Sequence, residues 1–103
     1  MADAPSSRDA DFLPLLKSAN AGDANAEALL CERNLPLVYA IAKRYRDRGV
    51  DMGDLVQLGS MGLVKAIRRF DPSFGVQFST YAVPLIAGEI KRFLRDDGMI
   101  KVS

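Results

Sequence analysis

From Leu55 onward, apolar and small side chains recur as Leu55, Gly59, Gly62, Leu63, Ala66 and Phe70. At about 100° per residue these positions share one face of a helix. A glycine in a helix interior costs roughly 0.5–1 kcal/mol relative to alanine. Gly59 and Gly62 on the buried face therefore predict that another helix passes unusually close. The opposite face carries Asp54, Gln57, Met61 and Val64. A solvated face would lack the Met and Val, and the mixture suits contact with a partner helix. After Phe70, Asp71-Pro72-Ser73-Phe74-Gly75 is turn chemistry. Ser79 is the expected N-cap of a last long helix running to about Arg95. Pro84 inside it lacks an N–H and presses on the carbonyl of Thr80, which predicts a kink or a loosened first turn.

Upstream, Asp11 is placed to cap a helix holding Phe12, Leu13 and Leu16, with Pro14 tolerated in its first turn. Gly22 ends that helix and Asp23 caps the next, whose expected apolar face is Ala26, Leu29 and Leu30. Asn34 followed by Pro36 starts a third helix, with Asn34 as N-cap. Leu35, Val38, Ile41, Ala42 and Tyr45 are its stripe, flanked by Lys43, Arg44, Arg46 and Arg48. Gly49 stops it, and Asp51 caps the central helix after a short turn, which makes the two helices antiparallel neighbours. No strand pattern is convincing. The pattern predicts an all-α fold, a compact bundle of four to five helices. Residues 1–10 read as a disordered tail or one added in cloning, and residues 11–103 as a helical domain cut from a longer protein. Asp96-Asp97-Gly98 is expected to break the last helix, with Met99 to Ser103 extended.

Composition narrows the function. The 103 residues suit one domain. No apolar run approaches the ~20 residues needed to span a bilayer, and no signal peptide is read at the start, so no membrane partner is expected. The single cysteine, Cys31, excludes an intrachain disulfide and suits a reducing cytoplasm; it is expected to pack as a small hydrophobe. With no histidine and one cysteine the usual zinc ligand sets are missing, as are His-assisted nucleophiles. Neither a metal nor another cofactor is expected, and the chain does not read as an enzyme. Gly59 and Gly62 lie inside a helix and lack the Gly-Lys-Ser/Thr ending of a phosphate loop. The net charge of +1 hides an asymmetry, −4 over residues 1–32 and +5 over residues 33–103. Solvated helix faces would give such runs, and so would a nucleic-acid-binding half.

The last helix concentrates the chemistry. Val83, Ile86, Ala87, Ile90, Phe93 and Leu94 form its core side. Tyr81, Leu85, Gly88, Lys91, Arg92 and Arg95 form the other. An aromatic ring can stack an unpaired base, a glycine lets a backbone come near, and arginines hold phosphate. A solvated face with one exposed tyrosine is the plainer alternative. Phe78, three residues before Tyr81, could staple the first turn or help grip a base flipped from the stack.

The run from Asp54 to Ala82, DLVQLGSMGLVKAIRRFDPSFGVQFSTYA, is similar to the second conserved region of bacterial RNA polymerase sigma factors. The likeness extends through Asn34-Leu35-Pro36-Leu37-Val38 and Gly88 to Asp97, covering roughly residues 12 to 103. The Ala-Val-Pro segment and Gly88-Glu89-Ile90 resemble the sporulation and general-stress branch. The resemblance implies a domain that docks on the polymerase and recognises and melts the minus-ten promoter element. It implies that Phe78, Ser79, Thr80 and Tyr81 bind the non-template single strand, with a flipped adenine against Tyr81. Asn34, Leu37, Gln77 and Ser79 would line a second base pocket. Leu35, Val38, Asp54, Gln57, Leu58, Ser60 and Val64 would contact a two-helix coiled coil on the clamp of the polymerase's largest subunit. The same branch is held inactive by anti-sigma proteins, so a fragment mainly bound by an anti-sigma factor is the alternative. Against the housekeeping pattern, Pro84 and Leu85 replace two adjacent tryptophans, Val76 replaces an aromatic and Leu58 a glutamate. Weaker melting and a less polar polymerase contact are expected from these departures.

Overall fold

The structure, a computed structural model, describes residues 11–95. Five α-helices follow one another: α1 (Phe12–Asn20), α2 (Ala24–Arg33), α3 (Leu35–Ala42), α4 (Met52–Arg69) and α5 (Phe78–Phe93). Single 3-10 turns, Lys43–Tyr45 and Pro72–Phe74, follow α3 and α4. No strand occurs among the described residues, as the helical periodicity predicts. The expectations for residues 1–10 and 96–103 lie outside the described residues.

Local chemistry sets most boundaries. The Asp23 carboxylate accepts from the Asn25 N–H at 2.9 Å and the Ala26 N–H at 3.3 Å, and so caps α2. Asp51 caps α4 through the Gly53 N–H at 3.0 Å. Gly22 ends α1 at φ +106°, a conformation that L side chains rarely adopt.

Of three further expected caps, Asp11 and Asn34 hold their N-cap positions without a side-chain bond to the helix, and Ser79 is displaced. Asp11 precedes α1, but its carboxylate accepts from Arg33 Nη1 at 2.7 Å instead of from the helix. Asn34 sits between α2 and α3 and is 1% exposed; its amide donates back to the Leu30 carbonyl at 2.9 Å. Ser79 is the second residue of α5, whose N-cap position is Gln77 with no side-chain bond. Leu29, expected inside, is exposed. Pro84 lies within α5, which continues through it, and its ring faces solvent.

α4 is the central element and touches α1, α2, α3 and α5. Its predicted inner face is buried throughout: Leu55, Gly59, Gly62, Leu63, Ala66 and Phe70. The glycines serve the purpose their cost implies. A Cβ on Gly59 would lie 2.8 Å from Val38 Cγ1 and 3.1 Å from Ile86 Cγ2. On Gly62 it would meet the α5 backbone, 2.7 Å from Ile86 Cα and 2.8 Å from the Leu85 carbonyl carbon. α5 thus crosses α4 backbone to backbone. A Lys65–Glu89 ion pair ties the same two helices, and Arg68 reaches Glu27 of α2 at 2.8 Å. Below the crossing, Phe12, Phe70 and Phe78 fill the core, with centroids 5.4–6.4 Å apart.

Candidate functional site

Two surfaces collect the predicted site residues. The first is the start and outer face of α5. Tyr81 is half-buried there, its ring 5.5 Å from that of Phe70 and 5.5 Å from that of Phe74. The expectation of a tyrosine pointing freely outward is therefore corrected: its ring belongs to an aromatic cluster at the rim of the core. One helical turn on, Leu85 is half-buried, because its backbone lies against Gly62. Gly88 follows, and a Cβ there would meet nothing within 4 Å, so the helix surface is open at this point. Lys91, Arg92 and Arg95 follow at the surface, with Arg92 reaching Glu89 at 3.4 Å. Thr80 and Gln77 are exposed and Ser79 is half-buried at the mouth of the same helix. The helix places a ring, a bare backbone and Arg92 along one line, with Lys91 about 100° round from Arg92 and Arg95 just beyond the end of α5.

Phe78 does not join this surface. It is 1% exposed, opens α5 as its first residue and packs between Phe12 and Phe70, so it is a core ring shared between helices: it neither staples its own first turn nor offers a face to a base. Asn34 is equally enclosed, because the α2–α3 junction buries it. Its carbonyl oxygen Oδ1 has no hydrogen-bond partner. Leu37 is half-buried against the core.

The second surface is the outer face of α4. Asp54 and Gln57 are exposed, Met61 is 53% exposed, and Leu58, Ser60 and Val64 are half-buried. Asp54, Gln57, Leu58, Met61 and Phe93 line a shallow hollow of about 310 Å³. Leu35 is half-buried on α3. Val38 leaves the predicted set: it is 0% exposed, because its side chain fills the space that Gly59 leaves open. Phe93, assigned to the core by periodicity, reaches this surface at the hollow.

Among the described residues no group of three or more His, Cys, Asp or Glu is placed to hold a metal ion, and no helix is long and apolar enough to cross a membrane. Burial pushes the Cys31 thiol above its ordinary value, with the Glu27 carboxylate adding to the effect. A thiol shifted that way is a packing group and a poor nucleophile. The residue that sequence reasoning missed is Phe74. It reads as punctuation in a turn, yet it is 49% exposed and lies against both Tyr81 and Phe70. An exposed aromatic seven residues before Tyr81, across a turn that doubles the chain back, was the available signal.

The sequence profile described as Sigma-70 region 2 matches residues 30–99, which include α3, α4, α5 and both surfaces. The chain belongs to the sigma-70 region 2 family. It is 48% identical to the RNA polymerase sigma-F factor of Bacillus licheniformis over 96 residues, 93% of this chain and 38% of that protein. Identity to the sigma-F factor of Bacillus subtilis is 47% over the same span and coverage. The sigma-G factor of Bacillus subtilis is 44% identical over 105 residues, covering 92% of this chain and 40% of that one. The chain thus spans about two fifths of the length of these relatives. Sigma-F and sigma-G factors belong to the branch to which the Gly88-Glu89-Ile90 run pointed.

Proposed function

We propose that this sigma-70 region 2 domain docks on the clamp coiled coil of RNA polymerase and captures the non-template strand of the minus-ten promoter element, so that transcription can start. Docking is assigned to Asp54, Gln57, Leu58, Ser60, Val64 and Leu35 on the outer face of α4 and the start of α3. Strand capture is assigned to Tyr81 with Thr80 and Gln77, and phosphate contact to Lys91, Arg92 and Arg95. The observation that carries the reading is the single line on α5 from a half-buried tyrosine past a bare Gly88 to exposed Arg92. A protein partner could use the tyrosine and arginines as anchors. An unpaired strand uses them together, since its bases stack on rings and its phosphates pair with cations.

The mechanism follows from where the rings sit. Stacking on Tyr81 stabilises a base only once it has left the duplex, so binding energy is gained by the open strand alone. Cations along α5 neutralise the backbone beside it without reading sequence. No bond is made or broken, and this is binding, not catalysis. The position matching the housekeeping tryptophans is Pro84-Leu85, with the exposed Pro84 offering less ring surface against the duplex. Melting by this domain is correspondingly weaker.

The test is titration of the chain with short single strands of varied sequence, with and without a clamp coiled-coil fragment. Sequence-dependent strand binding and clamp binding are both expected. A domain that binds neither but is captured by an anti-sigma protein would replace this reading with the docking-fragment one.

A further inference from the structure

Phe74, Phe70 and Tyr81 form a closed triangle of rings. Their centroids are 5.5 Å apart for Tyr81–Phe74, 5.5 Å for Tyr81–Phe70 and 5.8 Å for Phe70–Phe74. These are spacings of direct ring contact. A base held between two parallel rings needs them roughly 7 Å apart, twice the ~3.4 Å rise between stacked bases. Tyr81 and Phe74 leave no such gap.

The two neighbours of Tyr81 differ in how they are held. Phe70 is 4% exposed and is fixed on its other sides by Phe12 and Phe78. Phe74 is 49% exposed and sits at the end of a single 3-10 turn. That turn is anchored at its start, where the Asp71 carboxylate accepts from the Ser73 N–H at 2.9 Å. It is followed by Gly75 at φ +79° and by exposed Val76. Nothing in these contacts secures the Phe74 ring except the two rings it touches.

We infer that Phe74 is an internal competitor for the Tyr81 site: its ring covers stacking surface on Tyr81, and a nucleobase gains that surface only when the Phe74 ring swings away. The inference rests on the reading of Tyr81 as the base-stacking residue. The closed state lowers the apparent affinity by the fraction of molecules that are open. The Tyr81–Phe74 contact alone corresponds to about 2- to 10-fold in that fraction, and the Phe70–Phe74 contact adds to it wherever opening breaks both. Opening also exposes the buried half of the Phe74 ring and the Tyr81 and Phe70 surface beneath it, so burial adds to the ring contacts in holding the closed state. Asp71 and Gly75, on either side of the turn, are the positions about which the ring would move.

The experiment uses the 103-residue chain and a fluorescein-labelled oligothymidine carrying one adenine, read by anisotropy and by stopped-flow association. Phe74→Ala is expected to tighten binding by at least about 2-fold and to speed association. In a Tyr81→Ala background the same substitution is expected to change nothing. Equal or weaker binding by Phe74→Ala overturns the inference, because Phe74 is then a bystander or a wall of the site. If Phe74→Ala melts below the assay temperature, Phe74→Leu replaces it. It removes the flat ring, keeps apolar bulk and is expected to tighten binding by a smaller factor, with unchanged binding again overturning the inference. Weak binding by Tyr81→Ala together with no gain from Phe74→Ala sinks the inference alone. Wild-type binding by Tyr81→Ala, or no binding by either wild type or Phe74→Ala, sinks the base-stacking reading and the inference with it.

Discussion

Tyr81 is where residue chemistry and function meet most directly. Its ring is half-buried between Phe70 and Phe74, so it serves the fold, and the proposed stacking uses the surface it shares with Phe74. Tyr81→Ala should weaken binding to an adenine-bearing single strand by about 1–3 kcal/mol, the usual worth of one stacked base. Tyr81→Phe should keep most of that affinity, because the ring face is retained. The alanine variant also loses its packing against Phe70, so its melting temperature should fall modestly. Anisotropy titrations run beside melting curves separate the two effects: affinity loss without unfolding supports base stacking, and unchanged affinity in a folded variant removes it. A second residue-scale test uses Asp11, whose hydrogen bond from Arg33 holds its carboxyl below its ordinary value of 3.8. A group depressed in the folded state adds stability above its unfolded value and loses it as pH falls through the folded one. The melting temperature of wild type should exceed that of Asp11→Asn at neutral pH, and the difference should close below pH 3.8. The pair is exposed, so the difference should be small. A gap that persists in acid would show that the bond, not the charge, holds α1 to α2.

At the scale of elements, the α4–α5 crossing is the feature that the sequence announced most clearly. Two glycines on a buried helical face are costly unless something occupies the space, and here it is the backbone of Leu85 and Ile86. In a solvated helix Gly→Ala would stabilise by roughly 0.5–1 kcal/mol. Gly62→Ala should instead destabilise by about 1–3 kcal/mol, because a backbone cannot yield as a side chain can. Denaturant melts of Gly62→Ala settle the point, and a raised midpoint would mean the helices part without cost. The elements that sequence reading placed well are those set by neighbours along the chain: the Asp23 and Asp51 caps, the Gly22 turn and the inner face of α4; α3, expected to run to Gly49, instead ends at Ala42 and passes into a 3-10 turn over Lys43–Tyr45. What it misplaced depends on partners far along the chain. Asp11 forgoes its cap for Arg33, 22 residues away. Phe78 turns inward because Phe12 and Phe70 leave a slot for it; Val38 is inside as its place on the α3 stripe predicts, and only the docking role implied by the resemblance lacks an exposed surface. Helical period tells which residues share a face, but not which of two mixed faces meets another helix. The outer surfaces of α4 and α5 were legible for the converse reason, since their polar and charged positions had no competing place in the core.

For the whole molecule, the proposed docking and base-stacking residues occupy opposite ends of the α4–α5 pair, while the cations of α5 run back to the docking end, where Phe93 lines the hollow. Asp54 lies in the first turn of α4, while Tyr81 touches Phe70 just beyond its last. Sixteen residues at 1.5 Å each separate Asp54 from Phe70 by about 24 Å. Side chains that far apart, without shared partners, have nearly independent effects, within roughly 0.5 kcal/mol. Asp54→Ala and Gln57→Ala should each weaken binding to a clamp coiled-coil fragment by about 1–3 kcal/mol if they are central contacts. They should leave strand binding and the melting temperature almost unchanged, because both side chains are exposed. Tyr81→Ala should do the reverse. The basic residues form a third class, acting through phosphates regardless of base. Lys91→Ala should weaken binding evenly across strand sequences and lower the salt slope by about 0.7, the value for one phosphate contact on a single strand. Titrations of each variant against the clamp fragment, several strands and several salt concentrations give a matrix with three separate signatures. Should Asp54→Ala weaken strand binding as much as clamp binding, or Lys91→Ala act on one strand sequence only, the division of this domain into a docking end, a stacking end and a phosphate track would be wrong.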